Sequence, residues 1–207
     1  SSPDFVRESL SLAGYGPERR RAWNDVSRGV DRLLVPLHRC HMLKAYAPSR
    51  SEYHPSRAGL RWVRRRMRSR VDAGDAPDGH RKVYVSRQGA SSERGRRVAN
   101  YERLLSALED RGFGSYALEA LSVRRQVALF SGADVVLGPH GAGLTNVLFA
   151  DDPLLVELLP EHKTVPYFHH LATMFGFDYE PVVTAADDGD LVVDVPALER
   201  RLDELGV

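Results

Sequence analysis

The sequence predicts an α/β fold, a mostly parallel β-sheet with helices packed against it. Three observations lead there. From Arg81 onward, short apolar or β-branched runs alternate with stretches of about ten or more residues that carry apolar positions at helical spacing. Helix punctuation separates them, with Ser122 and Asp194 placed as caps and Gly112 and Gly176 as stops. Between two of the apolar runs, ADVVLGP and PLLVELLP, lies the bare polar turn HGAGLTN.

Taken in order, Ser1 to Arg28 is polar and broken by Gly14, Gly16 and Pro17, which suits one loose helix and a loop. DRLLVPL (31–37) reads as a short buried strand, and Pro48, Ser49 and Pro55 mark a loop. Ser56 caps a helix over 57–70, with Leu60, Val63 and Met67 on its apolar face and arginines on the others. VDAGDAPDGH (71–80) reads as a flexible turn.

RKVYVSR (81–87) begins the regular part as a strand. A Gly/Ser/Arg loop follows, then a helix over 98–111 with Val98, Tyr101, Leu104, Leu105 and Leu108 in step. SYALEA is a short strand, 122–132 a helix, ADVVLGP a buried strand, 141–149 the start of a helix and PLLVELLP another strand. A helix over 164–175, the strand DYEPVV, and a final strand and helix in DLVVDVPALERRLDEL complete the chain, with Pro196 in the first turn of that helix. Residues 73–207 therefore read as the α/β domain, and 1–72 as a separate segment and linker.

Composition excludes several classes. With 29 basic and 28 acidic residues among 207, the net charge is +1, against the basic excess of a nucleic-acid-binding protein. The single cysteine, Cys40, rules out an internal disulfide framework and suits a reducing compartment. No apolar run approaches the ~20 residues of a membrane span, and no signal-peptide pattern opens the chain. Charge is uneven: 57–70 holds seven arginines and 178–194 is mainly acidic. The arginine cluster is either a solvated helix face or a peripheral contact with anionic membrane. His38 and His41 flank Cys40, but further zinc ligands at short spacing are missing there. His162, His169 and His170 form a second histidine group.

In an open parallel sheet, ligands bind beyond the carboxyl ends of the strands, and the glycine turn sits at such an end. Gly141, Ala142 and Gly143 present little side chain, so a ligand can approach the backbone. The first amides of the following helix point outward at its positive end. Thr145 and Asn146 add a hydroxyl and an amide, and His140 a donor or a charge. Together they suit a phosphate or diphosphate; a turn that needs glycine only for close packing is the other reading. The third glycine of a G-x-G-x-x-G is replaced by Asn146, and no G-K-[ST] follows, so neither dinucleotide nor P-loop fingerprint applies. Arg87, at the end of its strand, shares the sheet edge with this turn and can pair bidentately with a diphosphate, unless it is one more surface arginine. Glu157 suits a grip on ribose hydroxyls or a solvent-facing strand end. Tyr167 suits either the nucleotide base or an aromatic core.

The series YVSR, RRVANYERLLSALEDRGF, YALEALSVRRQVALFSGADVVLGPHGAGLTNVLF, VELLP and YFHHLA resembles the glycosyltransferase family 61 domain from Leu33 to about Tyr179, most strongly between Val83 and Tyr167. That family includes plant xylan arabinosyl- and xylosyltransferases, animal protein O-linked N-acetylglucosaminyltransferases and bacterial proteins labelled as capsular polysaccharide biosynthesis enzymes. The resemblance implies a Rossmann-like sheet, as in the C-terminal, donor-binding half of a GT-B glycosyltransferase. It implies an inverting transfer from a nucleoside-diphosphate sugar to a glycan, lipid-linked saccharide or protein, without a metal or other cofactor. Through it, Ser86 and Arg87 match the S-R element facing the diphosphate, Arg97 and Asn100 an R-x-x-N element, and Gln126 the glutamine before the turn. His140, Gly141, Gly143, Thr145 and Asn146 match the turn, and Glu157 the acidic residue after it.

On this view Arg87 and His140 are the catalytic candidates, His140 as phosphate ligand or as general base. Tyr101 departs from the pattern, standing where acidic residues are frequent. Length is the larger departure. Two full halves need roughly 100–200 residues each, so the acceptor half is reduced to the N-terminal segment or absent. A non-catalytic nucleotide-sugar-binding module and a scaffold using the arginine-rich helix are the rival readings. The arginine-rich, lysine-poor composition suggests a bacterial cytoplasmic setting, against a secretory lumen for a eukaryotic member.

Overall fold

Five parallel strands line up side by side and form the frame of the larger of two compact units. The structure, a computed structural model, describes residues 4–20, 56–89, 97–161 and 165–207. The DRLLVPL segment, the His38–Cys40–His41 group and His162 lie outside the described residues. The chain divides into two compact units, Ser1–Met67 and Arg68–Val207, where the sequence placed a junction at 72/73.

The first unit holds helix α1 (Asp4–Leu12), a 3-10 turn (Pro17–Arg19) and nearly all of α2 (Arg57–Arg68). Ser56 caps α2 as expected, its Oγ accepting from the Gly59 amide at 3.2 Å. Not all the α2 arginines are simply solvated. Arg66 donates from Nε to Ala13 O at 2.9 Å and lies 5.8 Å from the Trp62 ring centre.

The second unit contains β1 (Lys82–Ser86), α3 (Tyr101–Glu109), β2 (Phe113–Ala117), α4 (Val123–Ser131), β3 (Val135–Pro139), β4 (Leu154–Pro160), α5 (Tyr167–Phe175), β5 (Asp178–Asp187), β6 (Asp190–Val192) and α6 (Val195–Glu204). The strand order is β2-β1-β3-β4-β5-β6. Strands β1 to β5 are parallel, and β6 returns antiparallel on β5. Its tight return uses Asp188 and Gly189, at φ 45° and 84°, the positive pair that a two-residue hairpin demands. This is a Rossmann-like α/β sheet.

One face of the sheet carries Tyr84, Leu137, Val156 and Leu158 under Leu104 and Leu108 of α3 and Leu198 and Leu202 of α6. Alternation along the strands sends Val83, Val85, Val136, Leu155 and Leu159 to the other face, where α4, α5 and the segment after β3 lie. These nine side chains of β1, β3 and β4 are all buried. Helix ends follow their expected chemistry. Ser122 accepts from Arg125 N at 3.3 Å, Asp194 accepts from Ala197 N at 3.1 Å, and Gly176 closes α5 at φ 86°.

Three elements differ from expectation. Residues 71–80 are held by side chains: Asp75 Oδ2 accepts from Asp72 N at 2.9 Å and from Arg124 at 3.0 Å, and Tyr116 donates to Asp78. The helix expected from Val98 starts at Tyr101, because Val98 pairs with Leu191 of β6 and Ala99 N donates to Leu191 O at 2.8 Å. The stretch after Gly141, expected as the start of a helix, is a complete eight-residue 3-10 helix, Ala142–Phe149.

Candidate functional site

The chain leaves β1 toward β2 on one side, while β3 lies on the other. Such a reversal opens a crevice beyond the strands' carboxyl ends. Arg87 follows β1 there, and His140, Gly141 and the 3-10 helix follow β3. Ser86, Arg87, Leu118, Glu119, Pro139 and Gly143 line a small cavity of about 170 Å³ together with Val85.

The glycines now have separate reasons. A Cβ on Gly138 would lie 3.0 Å from Val85 O, and one on Gly143 3.1 Å from side-chain atoms of Leu118 and Val85. Both serve close packing of the turn onto β1. A Cβ on Gly141 would instead collide with Nη1 of the Arg87 guanidinium. Gly141 is thus where the backbone makes room for the Arg87 guanidinium, and Arg87 lines the crevice. The Gly141 backbone is extended, at φ 169° and ψ 171°, so contact, and not conformation, selects glycine there. Ala142 and Thr145 are exposed at the start of the 3-10 helix, whose first amides have no partner within the helix.

Four of the expected ligand residues have side chains engaged within the protein. Asn100 Nδ2 donates to Val193 O at 2.7 Å, and its Oδ1 accepts from Val193 N at 3.1 Å, which clamps the strand-to-helix turn after β6. Gln126 Nε2 donates to Leu118 O and Leu121 O, both at 2.9 Å, and its Oε1 accepts from Asn146 Nδ2 at 3.0 Å. Asn146 Nδ2 also donates to Gly143 O at 3.2 Å. Gln126 and Asn146 therefore brace the turn from beneath. Arg97 is tied through its backbone, to Asp190 Oδ1 at 2.9 Å and to Leu191 N at 2.7 Å. Ser86 is buried, with its Oγ accepting from Gln88 N at 3.4 Å.

Glu157 is the fourth. It stands mid-strand in β4, opposite Gly138 in register, and is 0% exposed. It does not face solvent. One carboxylate oxygen is bonded to His140 Nδ1 and the other accepts from the Tyr179 hydroxyl at 2.6 Å. Burial, then donation to the Glu157 carboxylate, raises the Tyr179 hydroxyl well above an ordinary phenol. The phenol keeps its proton, and Glu157 is the acceptor. His140 is 7% exposed, its amide donating to Leu158 O at 2.9 Å. Its ring stacks on Tyr167 at 6.2 Å and meets Phe168 edge-on at 5.6 Å. Tyr167 is 37% exposed, so it borders the site and is not core. His169 and His170 are exposed, and the His169 ring meets Tyr179 at 5.7 Å.

Sequence reasoning missed Tyr179 and Glu119. Nothing in DYEPVV signals a partner in another strand, whereas Glu119, at the end of YALE, had a legible signal in its place on the same sheet edge as Arg87. A second hollow on this edge, lined by Gln88, Val98, Ala99, Asn100, Tyr101, Glu102 and Arg103, opens at the start of α3. Among the described residues, no three His, Cys, Asp or Glu side chains come together as a metal-binding group.

The model of the family "Glycosyltransferase 61" matches residues 9–156, more than two thirds of the chain. It starts earlier than the resemblance read at Leu33, and it ends just short of Glu157. The chain is also 35% identical over 82 residues to a β-1,2-xylosyltransferase, XAX1, of Oryza sativa subsp. japonica, covering 39% of this chain and 14% of that protein. The glycine turn, the arginine lodged on it and the family match agree: the chain belongs to glycosyltransferase family 61.

Proposed function

We propose that residues 68–207 form the donor-binding part of an inverting, GT-B-type glycosyltransferase that takes a nucleoside-diphosphate sugar. The observation that carries this reading is the Arg87 guanidinium lying against Gly141 at the β1/β3 crevice. A diphosphate there meets a planar, permanently charged donor and the first amides of the 3-10 helix, the two features that stabilise a phosphate leaving group. The nucleoside is assigned to the hollow at the start of α3. The name of the rice relative favours a pentose such as xylose among the donor sugars.

In the proposed reaction an acceptor hydroxyl attacks the anomeric carbon opposite the diphosphate. The bond from that carbon to the diphosphate oxygen breaks, and Arg87 and the turn take up the developing charge. The hydroxyl proton passes to a general base. His140 is assigned to the diphosphate, since it stands at the head of the anion-binding turn. The reading includes no metal, a glycan, lipid-linked saccharide or protein as acceptor, and a setting in the bacterial cytoplasm with peripheral contact to anionic membrane through α2. The chain aligns with only 14% of the rice protein, so the complete reaction is part of the proposal.

The test is donor turnover. UDP-xylose, UDP-N-acetylglucosamine and related donors are incubated with the protein, with and without EDTA, and released UDP is measured. UDP release above background, undiminished by EDTA, is expected. Binding without release would favour the one serious rival, a non-catalytic donor-binding domain.

A further inference from the structure

Within the donor site just proposed, and resting on that reading, the least expected feature is a fully buried carboxylate in the middle of a strand. Glu157 has no exposure, and each of its oxygens is engaged by a side chain, one from the turn after β3 and one from β5. A buried carboxylate costs several kcal/mol unless it is paired and hydrogen-bonded. A simple core position would hold Leu or Val, as its neighbours Val156 and Leu158 do.

Tyr179 has only a hydroxyl to offer and keeps its proton, so it donates to Oε2. As a carboxylate Glu157 offers only acceptors, and its Oε1 then accepts from His140, which places a proton on Nδ1. The partner of one ring nitrogen fixes what the other nitrogen does. A carboxylate on Nδ1 also balances the positive charge of an imidazolium whose Nε2–H donates to an anion. The ring itself is held between Tyr167 and Phe168, so its orientation is fixed as well as its proton.

We propose that Glu157 and Tyr179 are positioning residues that commit the Nδ1 proton of His140 to the protein interior, so that His140 meets the donor diphosphate through Nε2–H. Both lie beyond the span that the family model matches. The chemistry at the site is that of a cationic, oriented hydrogen-bond donor for a phosphate oxygen. The role of Glu157 changes from ribose ligand to tautomer lock.

The test is nitrogen-15 NMR of the histidine rings in the full chain. His140 is assigned by the signal lost in His140→Asn. Spectra are compared for wild type, Glu157→Gln and Tyr179→Phe, each with and without UDP. Wild type is expected to show a protonated Nδ1 before UDP, and protons on both Nδ1 and Nε2 once UDP is bound. Glu157→Gln is expected to lose the Nδ1 preference and to weaken UDP binding about tenfold, or about 1.4 kcal/mol. Tyr179→Phe, which removes one hydroxyl and leaves the ring to pack, is expected to weaken both effects in part. An Nε2–H tautomer in the free wild type, or an Nδ1 signal unmoved by Glu157→Gln, would overturn the proposal. Failure of the donor reading looks different: UDP would then leave every ring signal in place while the Nδ1 lock of the free protein persisted.

Discussion

Gly141 and Gly138 sit three residues apart in one turn and separate two demands that a glycine can meet. Gly138 faces the backbone oxygen of Val85, which cannot move aside. Gly138→Ala is expected to destabilise by about 1–3 kcal/mol, the usual range for overpacking. Gly141 faces only the end of the Arg87 side chain, at a backbone conformation open to any residue. Gly141→Ala should leave stability within about 0.5 kcal/mol of wild type while displacing the guanidinium and weakening UDP binding. Denaturant melts and UDP titrations of both variants check this. Equal stability losses in the two would mean that Arg87 is not what the glycine accommodates. At this scale the sequence was legible where placement depends on position along the chain, as for Arg87 and the glycine turn at one sheet edge. It was illegible for Asn100, Gln126, Asn146 and Glu157. Their partners are set by tertiary packing: Val193 meets Asn100 through the return of β6, and Tyr179 meets Glu157 from the neighbouring strand. A polar residue at a strand end or helix start reads the same whether it faces a ligand or another backbone.

Elements were legible wherever a cap, a stop and a period agreed. Helix α4 begins after Ser122 and α6 after Asp194, as the caps dictate. Replacing Asp194 by Ala removes the acceptor for Ala197 N and is expected to cost about 1 kcal/mol, read as a lowered denaturation midpoint with unchanged denaturant slope. The sequence misled where a tertiary partner overrode the period. Val98 has helical spacing with Tyr101 and Leu105, but Leu191 offers it a strand partner, and the helix yields its first turn. The 3-10 form of 142–149 has a similar origin. With Gly143 pressed onto Val85 and Leu118, and Asn146 tied to Gln126, the segment is drawn tight against β1 and α4. The arginine-rich α2 shows the opposite case, an element whose existence was plain from its cap while the use of its arginines was not.

At the scale of the whole molecule, the alternation of strands and helices was enough for the sheet, and the order β2-β1-β3-β4-β5 then determines where a ligand belongs. The same packing has a consequence for pH. Tyr84, Tyr116 and Tyr179 each have a hydroxyl raised well above the ordinary phenol range, burial being the largest cause in all three. In the unfolded chain they ionise near pH ~10, while the folded protein holds their protons. Their contribution to stability is therefore complete below pH ~10 and is lost as pH rises through the folded values. Denaturation midpoints should be level from these groups between about pH 8 and 9 and fall above about pH 10. Tyr179→Phe should make that alkaline fall shallower.

The central claim is that this sheet edge binds a diphosphate through Arg87, and the most direct measurement is calorimetric titration of wild type and Arg87→Ala with UDP and GDP, in the presence and absence of EDTA. The account predicts binding to wild type that is indifferent to EDTA, and at least several-fold weaker binding to Arg87→Ala with an unchanged melting temperature. Binding of equal strength to both proteins would contradict the assignment of Arg87. Absence of nucleotide binding by the folded wild-type chain would contradict the donor site itself.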